Sequence, residues 1–178
     1  ETQRSAEEVG GWANAHLMRL ALAVIYDEKE DEFRTFYEED TNRLVQELVS
    51  ADMVIGFNLE RFDFRVLSAY SSFDPAKIKY LDILSYIKER VGYRLSLNHL
   101  ASATLGLEKT DNGLQSIEWF KNGRLDLVER YCRSDVEITR RLFKFGSENG
   151  YIVFMHKSGS LVRLPVEWQL EDLLQDGH

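Results

Sequence analysis

Apolar positions along this chain change period several times, and each change predicts an element. "HLMRLALAVIYDEKE" carries an apolar run of small and β-branched residues that ends in charges, as a strand running into a turn does. "EFRTFYEE" alternates aromatic and polar residues, the period of a half-exposed strand. The two predict a hairpin across "DEKED". "TNRLVQELVSA" places Leu44, Val45, Leu48 and Val49 at helical spacing, with Thr41 or Asn42 available as a cap. "DMVIGFN" reads as a short buried strand ending at Gly56, and "LERFDFRVLSAY" as the helix after it.

Further on, "DPAKIKYLDILSYIKERVG" predicts a short strand or turn and then a helix closed by Gly92. "SLNHLASATLG" predicts a short helix from Ser96 to Gly106. "DLVERYCRSDVEITRRLFKFGSENG" is the longest amphipathic stretch, with Leu127, Tyr131, Val136, Leu142 and Phe145 apolar. "YIVFMHKSGSLVRLPVEW" is two alternating runs joined by "KSGS", a hairpin signal. Strands followed by strands interleaved with helices predict an α/β fold, a mixed sheet covered by helices. The expected organisation is one main domain over residues 1–150, with residues 151–178 as a C-terminal β-hairpin extension of it.

The length of 178 residues suits one domain, or one with an appendage. No apolar run approaches the ~20 residues of a membrane span, so no membrane partner is expected. Cys132 is the single cysteine and has no internal disulfide partner, which fits a cytoplasmic protein. The net charge of −8 argues against holding nucleic acid by bulk positive charge. It leaves room for an enzyme that meets phosphates through divalent cations and a local basic rim, and acidity also keeps many proteins soluble.

Three stretches carry candidate chemistry. In "VIGFNLERFDF" a strand ends at Gly56, Asn58 follows, and Asp63 lies about a turn and a half further on. A carboxylate beyond a strand's carboxyl end can line a ligand cleft; the plain alternative is an Asn helix cap and a surface Asp. In "YCRSD", Tyr131 and Asp135 are four apart and share a helix face. A phenol there could position a water beside a carboxylate, and the alternative is a packed Tyr and a solvated Asp. The third is the opening Glu1-Thr2, which means nothing alone.

Taken in order, Glu-Thr, Asn-x-x-x-Phe-Asp and Tyr-x-x-x-Asp resemble the DEDD superfamily of 3′–5′ exonucleases on the ribonuclease-H-like fold, in its DEDDy branch. "VIGFNLERFDFRVL" is similar to the proofreading exonuclease of family-B DNA polymerases and to YprB-like ribonuclease-H-like domains. "SLNHLASATLG" resembles the segment those families carry between their second and third motifs, and the likeness covers roughly residues 1–146. It implies a mixed five-stranded sheet flanked by helices. It implies Glu1, Asp63 and Asp135 as ligands of two divalent cations, Mg²⁺ or Mn²⁺, with Tyr131 orienting the attacking water. Thr2, Asn58 and Phe62 would meet the substrate or brace the site. The first-motif Asp would stand two residues before Glu1, outside this sequence, and its strand would be central to the sheet. The sequence is therefore expected to begin inside a longer polypeptide; a molecule starting at Glu1 is expected to fold poorly and not to catalyse.

The chemistry suits the residues. Phosphodiester hydrolysis builds charge on attacking and leaving oxygens, which two cations can stabilise together. Hard cations take oxygen ligands. His16, His99, His156 and His178 lack zinc-ligand spacing, and no phosphate-binding glycine loop is present. Arg61, Arg65, Lys88, Arg90, Arg94, Arg130 and Arg133 are candidates for a basic rim. Trp12, Trp119 and Phe120 are candidates for base stacking, with at least two of the three expected in core or edge packing. The expected activity is 3′–5′ exonucleolytic hydrolysis of single-stranded DNA or RNA. The alternative is a catalytically impaired nucleic-acid-binding or scaffold domain in a larger repair or helicase assembly.

Overall fold

The computed structural model describes residues 1–70, 72–107 and 113–175. The chain forms two compact units, each discontinuous in sequence. The first comprises Glu1–Ala51, Asn58–Ile78 and Asp111–Val136, and the second Asp52–Phe57, Lys79–Thr110 and Glu137–His178.

The first unit is built on the predicted hairpin. Strand β1 (Leu22–Asp27) pairs antiparallel with β2 (Glu32–Tyr37), from Leu22 opposite Tyr37 to Asp27 opposite Glu32. Side chains alternate between the two faces of a strand, and here both faces are covered. Leu22 and Val24 pack with Val128, Trp119 and Phe120, which lie on helices α5 (Gly113–Lys121) and α6 (Leu125–Asn149). Ala23 and Ile25 turn the other way, to Phe36, Leu44, Val66 and Leu67. Leu44 comes from α1 (Thr41–Ser50), and Val66 and Leu67 from the single turn α2 (Phe64–Leu67). Polar residues of β2 obey the same alternation. Arg34 bonds Glu47 of α1 at 3.1 Å, while the Thr35 hydroxyl donates to Glu129 of α6 at 2.7 Å.

Glu1–Gln3 add a short edge to this sheet. The Glu1 nitrogen donates to the Leu22 carbonyl at 2.8 Å, Ala21 N to the Glu1 carbonyl at 3.0 Å, and Gln3 N to the Arg19 carbonyl at 3.0 Å. Glu38 fixes this edge from the side. Its carboxylate accepts from Gln3 at 2.8 Å, from Arg19 through two bonds of 2.8 Å each, and from Tyr70 at 2.6 Å. Burial pushes the Glu38 carboxyl up, but the Arg19, Tyr70 and Gln3 bonds outweigh it and hold the group below its ordinary range.

The second unit contains β3 (Val54–Gly56), parallel to β4 (Tyr80–Asp82). Asp82 caps α3 (Ile83–Val91), accepting from Leu84 N at 3.0 Å and Ser85 N at 3.3 Å, and Gly92 ends it at φ 87°. Ser96 caps α4 (Leu97–Leu105) by accepting from His99 N. The C-terminal hairpin, β5 (Tyr151–Met155) and β6 (Leu161–Pro165), precedes a short α7 (Leu170–Gln175). Ile152 and Phe154 of that hairpin join Ile83, Ile87, Leu100, Leu142 and Trp168 in the core of this unit. The Thr104 hydroxyl of α4 locks onto β5, donating to Val153 O at 2.7 Å and accepting from Val153 N at 3.0 Å.

The expected five-stranded sheet is replaced, among the described residues, by three two-stranded ladders: β1–β2, β3–β4 and β5–β6. A five-stranded sheet needs a central strand hydrogen-bonded along both edges. Glu1–Gln3, the backbone at the position assigned to that strand, supplies one isolated bridge, Thr2 to Leu20. β3 and β4 are three residues each, so their ladder is short as well. The mixed α/β character holds, and the separate ladders are the correction.

Candidate functional site

Glu1, Thr2, Asn58, Phe62, Asp63, Tyr131 and Asp135 all lie in the first unit, whereas the rim candidates Lys88, Arg90 and Arg94 lie in the second. The edge pairing with Leu20–Leu22 positions Glu1. Its carboxylate accepts a hydrogen bond from the Ser116 hydroxyl at 2.6 Å. Ser116 sits on α5 and is 1% exposed. Nothing in the spacing of the sequence couples residue 116 to residue 1, and this contact escaped sequence reasoning.

Asn58 adopts the left-handed conformation, φ 68° and ψ 30°, which Asn tolerates better than most residues. From there the chain makes a wide π-turn, Leu59–Asp63, before tightening into α2. Such turns recur at functional sites. The Phe62 amide donates to the Asn58 carbonyl at 3.1 Å. Phe62 packs against the Leu20, Phe36 and Leu44 core, which anchors the turn and fixes where Asp63 begins. The predicted regular helix over this stretch is thus a π-turn followed by one α-turn.

Tyr131 and Asp135 lie one turn apart on α6, as their spacing predicted, and each shifts the other's proton affinity. Trp119 meets the Tyr131 ring edge-on at 6.3 Å. Burial, the Asp135 charge and the Glu1 charge push the Tyr131 phenol well above its ordinary value, so it is a proton donor at neutral pH. Burial, followed by the Glu1 charge, pushes the Asp135 carboxyl up to about 6, with the neighbouring Tyr131 hydroxyl acting the other way. Cys132 is raised to about 11, first by burial, with Glu1 and Asp63 also raising it. Glu1, Asp63 and Asp135 therefore act electrostatically on one small region around Tyr131 and Cys132.

Thr2 is 4% exposed, and its hydroxyl donates to the Arg4 carbonyl at 3.0 Å, so it braces the loop after the edge. Two of the three aromatic stacking candidates, Trp119 and Phe120, pack into the core. Trp12 is exposed. Among the rim candidates, Arg133 lies over the Phe33 ring at 4.2 Å and Arg90, in the second unit, over Tyr86 at 3.4 Å.

The donor chemistry suits a hard divalent cation, since Glu1, Asp63 and Asp135 carry carboxylate oxygens whose mutual repulsion a cation would relieve. Among the described residues, however, no three His, Cys, Asp or Glu side chains converge closely enough to form a metal-binding group. No described helix is long and apolar enough to cross a membrane.

Comparison with known families settles the superfamily. The RNase_H_2 model, of the RNase_H superfamily, matches residues 12–145, well over half of the chain. The chain belongs to the RNase_H superfamily. The matched span of this RNase_H member includes Asn58, Asp63, Tyr131 and Asp135, and begins after Glu1 and Thr2. Membership makes it a nuclease-like domain with nucleic acid as its class of substrate, and divalent metals are the usual cofactors of such nucleases. No curated protein and no solved structure matches the chain.

Proposed function

We propose that this RNase_H member is a metal-dependent 3′–5′ exonuclease acting on single-stranded DNA or RNA. The observation that carries the reading is the Tyr131–Asp135 pair, one turn apart on α6 and under the charge of Glu1. Glu1, Asp63 and Asp135 would hold two divalent cations, Mg²⁺ or Mn²⁺. When bound, such cations stabilise charge on the attacking and leaving oxygens of a phosphodiester.

The chain's own residues do the positioning. Tyr131, kept protonated, would give its hydroxyl proton to a hydrogen bond with Asp135 and orient that carboxylate. With its phenol oxygen it would also accept a hydrogen bond from a water beside Asp135. Ser116 turns the Glu1 carboxylate through one oxygen and leaves the other to a ligand. The Asn58–Asp63 turn sets Asp63, with Asn58 and Phe62 next to the strand being cut. Thr2 holds the loop that frames Glu1.

The test is a 3′- or 5′-labelled single strand, DNA and RNA in parallel, given to the full-length polypeptide with Mg²⁺ or Mn²⁺. Shortening from the 3′ end, abolished by Asp135→Ala, is expected. A wild-type protein that leaves the strand intact, or an Asp135→Ala protein with full activity, sinks the proposal. A second reading, a nucleic-acid-binding or scaffold domain in a larger repair or helicase assembly, is favoured by the spacing of the carboxylates among the described residues. It predicts strand binding with no cleavage under any divalent cation.

A further inference from the structure

Trp12 is a large side chain whose placement neither the core nor the carboxylates explain. It is 64% exposed, whereas Trp168 is 0% exposed and Trp119 packs in the core behind β1. Leaving an indole in water forgoes a large apolar burial, so the fold does not gain from this position. Yet the segment that carries the ring is firmly built.

Gly10 and Gly11, at φ 80° and 114°, turn the chain into the 3₁₀ segment Trp12–Leu17. Gly11 N donates to the Ala6 carbonyl at 2.6 Å, and Asn14 Nδ2 to the Val9 carbonyl at 2.9 Å. Ala15 and Met18, both buried, fix the other side of the segment. The indole then meets Phe62 edge-on, with centroids 6.0 Å apart and planes at 69°. Two rings at that angle form an open aromatic corner, and Phe62 is the residue before Asp63.

We propose that Trp12 is a stacking platform for a nucleobase of the bound strand, with Phe62 closing the inner side of its seat. This rests on the nuclease reading of the neighbouring carboxylates. A base suits the position because it is flat, uncharged and π-faced, so the acidic surroundings do not repel it. A sugar-phosphate alone would meet an apolar ring it cannot use. Stacking of this kind tolerates any base, so the platform contributes affinity and placement of the strand without sequence preference.

The experiment compares wild type, Trp12→Ala and Trp12→Phe as full-length proteins, in EDTA, with a fluorescein-labelled oligothymidylate. Anisotropy reads affinity, and indole emission reads contact with the ring. Wild type is expected to bind with quenched emission. Trp12→Ala is expected to bind roughly ten- to a hundred-fold more weakly and lose most of the quench, and Trp12→Phe to recover much of the affinity. With metal restored, Trp12→Ala should raise KM and leave kcat near wild type. Equal binding by wild type and Trp12→Ala overturns the platform while leaving the nuclease reading standing. Trp12-dependent binding without any cleavage keeps the platform and sinks the nuclease reading. A wild-type protein that binds no oligonucleotide overturns both. The variants' unfolding midpoints should match wild type, because Trp12 contributes little to the core.

Discussion

Ser116 donates its hydroxyl to the carboxylate of Glu1 at 2.6 Å, joining a buried position on α5 to the edge that pairs with Leu20–Leu22. A group that orients a metal ligand through the ligand's second oxygen commonly governs affinity by about 10–100-fold. Ser116→Ala should therefore raise the Mg²⁺ concentration for half-maximal activity by about ten-fold, with kcat at saturating Mg²⁺ changed much less. Titration of cleavage rate against Mg²⁺ checks this. An unchanged midpoint removes Ser116 from the site.

Asp135 sets a pH dependence with a definite sign. Its folded value of about 6 lies above the ordinary carboxyl value of about 4. The folded protein thus holds this proton more tightly than the unfolded chain does. Its contribution to stability is full below about pH 4 and is lost as pH rises through about 6. Asp135→Asn removes the charge, and should stabilise the metal-free protein at pH 7.5 by about 1–2 kcal/mol after allowance for solvent screening. The advantage should vanish by pH 4. Thermal midpoints in EDTA across that range decide it. Activity of the wild type should fall below pH 6 as protons compete with metal for the same carboxylate.

Cys132 should be inert in the folded protein. Burial first, and the Glu1 and Asp63 charges after it, lift its thiol to about 11, and only the thiolate reacts readily. Iodoacetamide at pH 8 should leave the native protein unmodified for hours and modify it promptly in urea. Rapid native labelling would mean that the region around Tyr131 is open to solvent.

Gly146 interrupts an otherwise good helix former in α6, and Trp168 explains it. A Cβ added at Gly146 would run into Cε3 and Cζ3 of the Trp168 ring. Gly→Ala in a helix interior ordinarily stabilises by about 1 kcal/mol. Here overpacking should reverse the sign, and Gly146→Ala should destabilise by about 1–3 kcal/mol. Trp168→Ala, which empties the site, should cost about 3–5 kcal/mol. Chemical denaturation of the single variants measures both, and the pair together should restore part of the loss from Gly146→Ala.

The elements that could be read from the sequence are those whose pattern is local. The β1–β2 hairpin shows in the alternation around Phe33–Tyr37, α3 in its Gly92 stop, α4 in Ser96 and Gly106, and the Tyr131–Asp135 pair in its four-residue spacing. Features that depend on remote partners were not legible. Ser116 acquires its role only when α5 is laid beside Glu1, and Gly146 only when Trp168 returns to it. The five-stranded sheet was inferred from likeness, and the observed ladders instead follow which backbone edges find a partner. Exposure of Trp12 could not be told from composition, since Trp119 and Trp168 have the same chemistry and are packed away.

The π-turn at Leu59–Asp63 makes residue count a parameter of the active region. A wide turn holds one more residue than a regular one, and successive residues of an α-helix are rotated by about 100°. Relaxation of Leu59–Asp63 into ordinary helix with none removed, or insertion of one more residue, would swing Asp63 by about that angle, whereas deletion of one residue would leave a regular turn of nearly the same angular extent. Replacing the same residues side chain for side chain would leave its direction alone. The direction of this carboxylate is thus encoded as a length, and a single-residue insertion here should be far less tolerated than a substitution.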